Sequence, residues 1–345
     1  MKLLPLVVTC LALLPPLAAQ DAVRAAADIV RDFDRVNMPS VSTGGDADGV
    51  RRFREAIQHG CRRKAELAAE LQRSYPEHAR LPEMLATRWA GLSNALDRAD
   101  DVLQEVDQLL TQNDLREAVR NEALRARARA CIASERCGDV QRLDAISAIL
   151  DLPGDYSFAA ACLTDFVERH VSAPETQRML YEVAVAKWPG KPYGGRPARR
   201  WLAVLDGIDA PFVEQLPEAT RPWFAEVTAA PAKWTVVQLW TGLVGDAQSE
   251  EIRQLQALRE QAGAEIRVIG LLNGDFEQRL PAARLAGVDW PQHEIADPEP
   301  MTNPLGMPRF GGCLLLDGEL RLVGVLGRAA LVKKRIAELG VRAAR

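Results

Sequence analysis

The sequence predicts an α + α/β chain, with an all-helical N-terminal domain followed by a C-terminal α/β domain. Three observations predict it. Apolar residues recur at helical spacing from residue 22 to about residue 200. A proline-rich belt follows between Trp188 and Lys233, holding Pro189, Pro192, Pro197, Pro211, Pro217, Pro222 and Pro231. From Lys233 onward, short apolar runs alternate with amphipathic segments, the pattern of a sheet with helices on its faces. At 345 residues the chain exceeds one average domain, in keeping with two.

The helical elements follow in order. Val23, Ala26, Val30 and Phe33 share a face between Asp21 and Val36. After a Ser/Gly/Asp stretch, Asp48 suits an N-cap, and a long helix carries Val50, Phe53, Ile57, Cys61, Leu67 and Leu71. Tyr75-Pro76-Glu77-His78 breaks it. Leu85, Trp89, Leu92, Leu96, Leu103, Val106 and Leu110 put a helix over Leu81–Leu110. Asn113-Asp114 caps the next, which runs to Arg136 and is ended by Gly138. Helical patterns then cover Asp139–Leu150, Ser157–Val171 and Pro174–Lys187. Short turns between such helices give an antiparallel array or an irregular helical-repeat layer, although no fixed period recurs. The segment 201–232 keeps Trp201, Leu202, Leu205, Trp223 and Phe224, so it reads as a packed connector.

The C-terminal domain, residues 233–345, opens on a buried-strand pattern at Trp234–Trp240. Gln248–Gln261 is an amphipathic helix with Ile252, Leu255 and Leu258 on one face. Glu265–Leu272 is a second strand and Phe276–Ala286 a second helix. Cys313–Asp317 and Glu319–Leu326 pair about a turn at Asp317-Gly318. Arg328–Leu339 closes the chain as a helix, giving the order β-α-β-α-β-β-α.

Residues 1–20 read as a signal peptide. Met1 and Lys2 make a basic start, Leu3–Leu17 an apolar stretch, and Ala18-Ala19-Gln20 a small-residue exit with cleavage near Ala19 or Gln20. The stretch is short and interrupted by Pro5, Pro15 and Pro16, so it does not suit a bilayer span. Cys10 lies inside the apolar region and not behind a lipid-attachment motif. Export to the periplasm or the extracellular space is the expectation, with no membrane span.

Composition narrows the function classes. The chain is 48% hydrophobic and 26% charged, enough for ordinary cores. A net charge of -4, with acidic residues interspersed among arginines, leaves no basic stripe for nucleic acid. The arginine-rich Arg116–Arg136 segment is interrupted by Glu117, Glu122 and Glu135, as on a solvated face.

Beyond the signal peptide stand five cysteines: Cys61, Cys131, Cys137, Cys162 and Cys313. Export permits disulfides, and an odd count leaves at least one thiol unpaired within the chain. Cys61 and Cys162 lie in phase with apolar faces and read as core thiols. Cys131 and Cys137 flank a helix end, and pairing them requires a sharp turn there, since six residues of continuous helix would hold them too far apart.

Residues 233–340 resemble the thioredoxin-like superfamily, and within it the exported TlpA-type thiol–disulfide oxidoreductases. The family's first strand ends in a Phe-Trp pair, followed by Trp-Cys-Gly-Pro-Cys and a long helix. Here the strand ends Leu239-Trp240, followed by Thr241-Gly242-Leu243-Val244-Gly245-Asp246-Ala247. The family's later Tyr-Gly-Val-Arg-Gly-Thr-Pro-Thr-Thr-Phe-Leu-Ile-Asp aligns without a gap on Leu305 to Asp317, and its final hairpin on Gly318 to Gly327. By this resemblance the two redox cysteines fall at Val244 and Ala247. The carboxylate that some relatives place beneath the disulfide falls at Gln238, and the cis-proline at Gly311. Redox turnover needs a low-pKa thiolate and a second thiol to resolve the mixed disulfide. Valine and alanine supply neither. The resemblance therefore implies a degenerate redox site and no enzyme.

Other chemistry is thinly supported. Cys313 falls two residues after the cis-proline position; it reads as a small residue buried in a strand, with a lone reactive thiol as the alternative. His59, His78, His170 and His293 show no ligand spacing, and His293 beside Glu294 reads as a surface pair. Asp275, Asp297 and Glu299 form no calcium loop, and no glycine-rich phosphate motif is present. No cofactor and no metal are expected. The leading expectation is a non-catalytic binding or scaffold module with an unknown protein or peptide partner. The alternatives are an oxidoreductase with non-standard cysteine chemistry, and a helical-repeat interaction protein.

Overall fold

A computed structural model describes residues 24–39, 47–153, 156–240, 246–273, 288–295 and 312–343. Contacts divide the chain into two compact units, one of Met1–Arg98 with Arg116–Glu122, the other of Ala99–Leu115 with Ala123–Arg345.

In the first unit, α1 (Ala26–Arg35) and α3 (Leu81–Asn94) pack on the long α2 (Ala47–Ser74). Ile29 and Phe33 of α1, Leu67 and Leu71 of α2, and Leu85 and Trp89 of α3 are buried together as the helical spacing requires. Close approach is built in at Gly91, where a Cβ would lie 3.2 Å from Cys61 Cβ. Arg24 ties α1 to α2, bridging Asp32 at 2.6 Å and Glu70 at 3.1 Å.

The single helix expected over Leu81–Leu110 is two. α3 stops at Asn94 and α4 begins at Ala99. Asp97 between them adopts φ +53°, a left-handed conformation that ends a helix. Apolar spacing alone did not reveal that break, because the pattern resumes in phase.

The second unit holds α4 (Ala99–Leu110), α5 (Glu117–Ala133) from Ala123 onward, α6 (Asp139–Ser147), α7 (Tyr156–His170), α8 (Pro174–Lys187), α9 (Gly195–Asp206), α10 (Phe212–Gln215) and α11 (Arg221–Val227). The proline belt is largely helical because its prolines start helices. Pro222 stands in the first turn of α11, as Pro174 does in α8, where a missing N–H costs nothing.

The sheet has the order β3-β2-β1-β4-β5. β1 (Trp234–Trp240), β2 (Ile266–Asn273) and β3 (Gln292–Ile295) are parallel, with Trp234 opposite Ile266 and Gly270 opposite Gln292. β4 (Cys313–Leu316) is antiparallel to β1, and β5 (Leu322–Leu326) to β4. Leu315 pairs with Gly324 but Leu316 with Leu322, so Val323 is a bulged extra residue. α12 (Asp246–Ala262) joins β1 to β2, and α13 (Ala330–Ala343) closes the chain. The chain is thus helical first and a mixed five-stranded α/β fold second. β3 was not expected from the sequence: four residues, Gln292-His293-Glu294-Ile295, give too short a run for alternation to register. The helix expected at Phe276–Ala286 lies outside the described residues.

Alternation in the strands gives the sheet two apolar faces. Val236, Ile266, Val268, Cys313, Leu315 and Leu326 form a core with Ile252 and Leu255 of α12 and Leu331 and Val332 of α13. On the opposite face, Val237, Leu239, Ile269, Leu271, Ile295, Leu314, Leu316, Leu322 and Val325 share a core with Phe166, Val167, Tyr181, Trp201, Phe212 and Phe224 of the helices. Helices from the proline belt and before it therefore form one covering layer of the sheet. The free edge of β5 is covered by the same region, since Phe212 N donates to Leu320 O at 2.9 Å and Leu322 N to Ala210 O at 3.1 Å.

Candidate functional site

The residues that the sequence assigns to a redox centre belong to the carboxyl end of β1, the start of α12 and the approach to β4. α12 begins at Asp246, so Asp246 and Ala247 open the helix. Val244 and Gly311 lie outside the described residues. Gln238 and Cys313 are described, and the register sets them directly opposite each other, with Gly270 on the other side of Gln238.

Gln238 is 5% exposed, and its Oε1 has no hydrogen-bond partner among the described residues. A carboxamide has no titratable proton near neutral pH, so this position cannot act as general base. Gly270 is matched to its neighbour. A Cβ there would stand 1.9 Å from Gln292 Oε1, so the Gln292 side chain lies over the bare glycine.

Cys313 is 1% exposed in β4 and belongs to the core under α12 and α13. Burial pushes its thiol well above the usual cysteine range, and the negative charge of Glu251 pushes it further the same way. Glu251, on α12, accepts the Ala329 N–H at 2.8 Å, and burial raises its own pKa. A reactive cysteine requires the reverse, a positive and accessible environment that stabilises thiolate. The Cys313 thiol, opposite Gln238, is therefore protonated at neutral pH.

The remaining sulfurs are equally quiet. Cys162 is buried in α7 and its thiol is pushed up to about 12 by desolvation. Cys61 is half-buried and also raised by desolvation. Cys131 and Cys137 form a disulfide with Cα atoms 5.5 Å apart. The sharp turn it requires is present: α5 stops at Ala133 and α6 starts at Asp139. Buried Arg142 fastens the same turn, donating to Cys131 O at 3.2 Å and Ser134 O at 2.8 Å. The sequence located that turn through Gly138 but did not decide the pairing.

His293 is not a surface pair with Glu294. It is half-buried and stacks on Trp223 of α11, ring centroids 4.7 Å apart, and burial lowers its pKa. His170 is half-buried too, with Nε2 2.8 Å from Ile132 O, and desolvation lowers its pKa. The arginines of 116–136 do more than solvate a face. Arg127 bridges Asp107 at 2.6 Å and Arg136 bridges Asp100 at 2.7 Å.

A cleft of about 250 Å³ lies among the helices of the second unit. Trp188, Tyr156, Phe158, Arg125 and Asp151 are among the residues that line it. No helix among the described residues is long and apolar enough to cross a membrane.

No protein-family model and no curated protein matches the chain. Among solved structures it is similar to a thioredoxin-like protein from Bacteroides caccae ATCC 43185. The two are 10% identical with a TM-score of 0.32, over 87% of this chain and 97% of that one.

Proposed function

We propose that the chain is an exported protein of the TlpA type whose redox centre is degenerate, and that its thioredoxin-like module serves as a non-catalytic binding or scaffold unit for a protein or peptide partner. One observation carries this reading. By the resemblance, Val244 and Ala247 fall where thiol chemistry needs two cysteines, and Cys313, opposite Gln238, is sealed in the sheet with its thiol held protonated. Turnover requires attack by one thiolate and release by a second thiol, and neither group is supplied. The disulfide Cys131–Cys137 supports export, because such bonds persist in oxidising compartments.

The test is insulin reduction with dithiothreitol, run on the wild type, Cys313→Ser and the double variant Val244→Cys with Ala247→Cys. The wild type is expected to show no turnover above the reagent alone. The double variant should form an internal disulfide but reduce insulin weakly, because Gln238 supplies no proton relay. Turnover by the wild type that disappears in Cys313→Ser would overturn the reading and establish an oxidoreductase.

A further inference from the structure

The cleft of about 250 Å³ among the helices is built from four segments. α5 supplies Arg125, the segment after α6 supplies Ile149 and Asp151, the first turn of α7 supplies Tyr156 and Phe158, and Trp188 follows α8. Ile149 and Trp188 are buried, and the Trp188 ring lies 6.5 Å from that of Tyr156, so one side of the cleft is apolar and aromatic. Arg125 Nη2 donates to Pro153 O at 2.6 Å, which ties its guanidinium to the segment between α6 and α7. Cations gather on the same rings. Arg129, one turn beyond Arg125 on the same face of α5, holds its guanidinium 4.6 Å from the Phe158 ring centroid, and Lys191 Nζ lies 5.4 Å from that of Tyr156. Neither forms a salt bridge among the described residues, whereas Asp151, the acidic residue of the lining, is bridged by Lys187.

Three aromatic rings by themselves would suit a quaternary ammonium. Two of these three already carry a cation, so a cationic guest would be repelled and an anionic one attracted. A guanidinium offers five N–H donors in a fork that matches a carboxylate, and stacking on a ring leaves those donors at its edge. Size narrows the guest further. The volume falls below the roughly 300–1,000 Å³ of sites that take drug-sized ligands, and it suits one compact apolar group. We propose that this cleft binds an apolar carboxylate, its body against Ile149 and Trp188, its carboxylate on Arg125 and in the field of Arg129 and Lys191. A free acid and the C-terminal residue of a polypeptide share that chemistry. The site lies in the helices, outside the redox positions, and does not depend on whether that centre is degenerate.

The test is calorimetric titration of the full mature chain with 3-phenylpropionate, which is expected to saturate. The uncharged 3-phenylpropionamide should bind about tenfold more weakly, and phenethylammonium should not compete with the acid. The tripeptide Gly-Gly-Phe separates the two sources. Binding at least as tight as that of the acid, lost when the peptide is amidated, marks a polypeptide end; weaker binding marks a free acid. Arg125→Gln should lower the affinity for 3-phenylpropionate about tenfold and leave that for the amide unchanged. Lys191→Gln, on the surface, should lower the affinity for the acid about threefold. If Arg125→Gln does not fold, the wild-type series and Lys191→Gln decide the question. No saturation by 3-phenylpropionate, equal affinity for acid and amide, or a folded Arg125→Gln that binds the acid like the wild type would each overturn the proposal.

Discussion

Residues 233–345 expressed alone are expected not to reach the fold they hold in the whole chain. The perturbation strips one face of the sheet. Nine side chains, from Val237 on β1 to Val325 on β5, lie in a core shared with helices α7–α11. Full burial of such a side chain contributes about 1.5–3 kcal/mol. If the helices supply half of that burial, their removal costs on the order of 10 kcal/mol. The backbone bonds from Phe212 to Leu320 O and from Leu322 to Ala210 O go too, at about 0.5–1.5 kcal/mol each. A domain's whole stability is about 5–15 kcal/mol, so the deficit is of the same size. The assay is urea unfolding followed by near-ultraviolet circular dichroism, with residues 99–345 as the control. The control should unfold cooperatively, and the fragment should show no transition and bind a hydrophobic dye. A cooperative transition of the fragment, with native-like tryptophan signals, would refute the reasoning and make the helices an accessory layer.

Gly327→Ala should destabilise the second unit by about 1–3 kcal/mol in the same urea assay, because the new Cβ would stand 2.4 Å from Glu168 O and the backbone must move. Reducing the Cys131–Cys137 bond, or replacing both residues by serine, should lower stability by about 2 kcal/mol, the loop-closure value for so short a ring. Native protein should leave Cys162 and Cys313 unlabelled by a thiol reagent at neutral pH and expose both on unfolding, since burial keeps each thiol protonated. His293 resists protonation in the fold, so the unfolded chain binds the extra proton first. Stability is therefore expected to fall as pH drops through the unfolded histidine value near 6.5 and to level off below the folded value. His293→Phe, which keeps an aromatic ring against Trp223, should remove that component of the pH profile; an unchanged profile would show that the stack does not control it.

The local elements were legible in the sequence because they follow from side-chain periodicity. Pro174–Lys187 is a helix over the residues its spacing predicts, and Trp234–Trp240 is a strand with Val236 and Val237 pointing to opposite cores. The turn at Asp317-Gly318 follows from its residues as well: Asp317 Oδ1 accepts the Glu319 and Arg321 N–H groups at 2.9 Å. The lack of any Cys-x-x-Cys was also readable, since it is a fact of the sequence and needs no coordinates. Tertiary structure alone decided the rest. Nothing local to β1 says that its Val237 face is covered by helices whose core residues run from Phe166 to Phe224, 71 to 13 residues upstream, because burial on both faces looks the same whichever segment supplies the cover. The sealing of Cys313 beside Glu251 depends on α12 and α13 closing over β4. The stack of His293 on Trp223 joins residues that a periodic pattern cannot relate. Periodicity specifies which face of an element is apolar; which partner meets that face is set by long-range packing, whose energy appears only when distant segments close together.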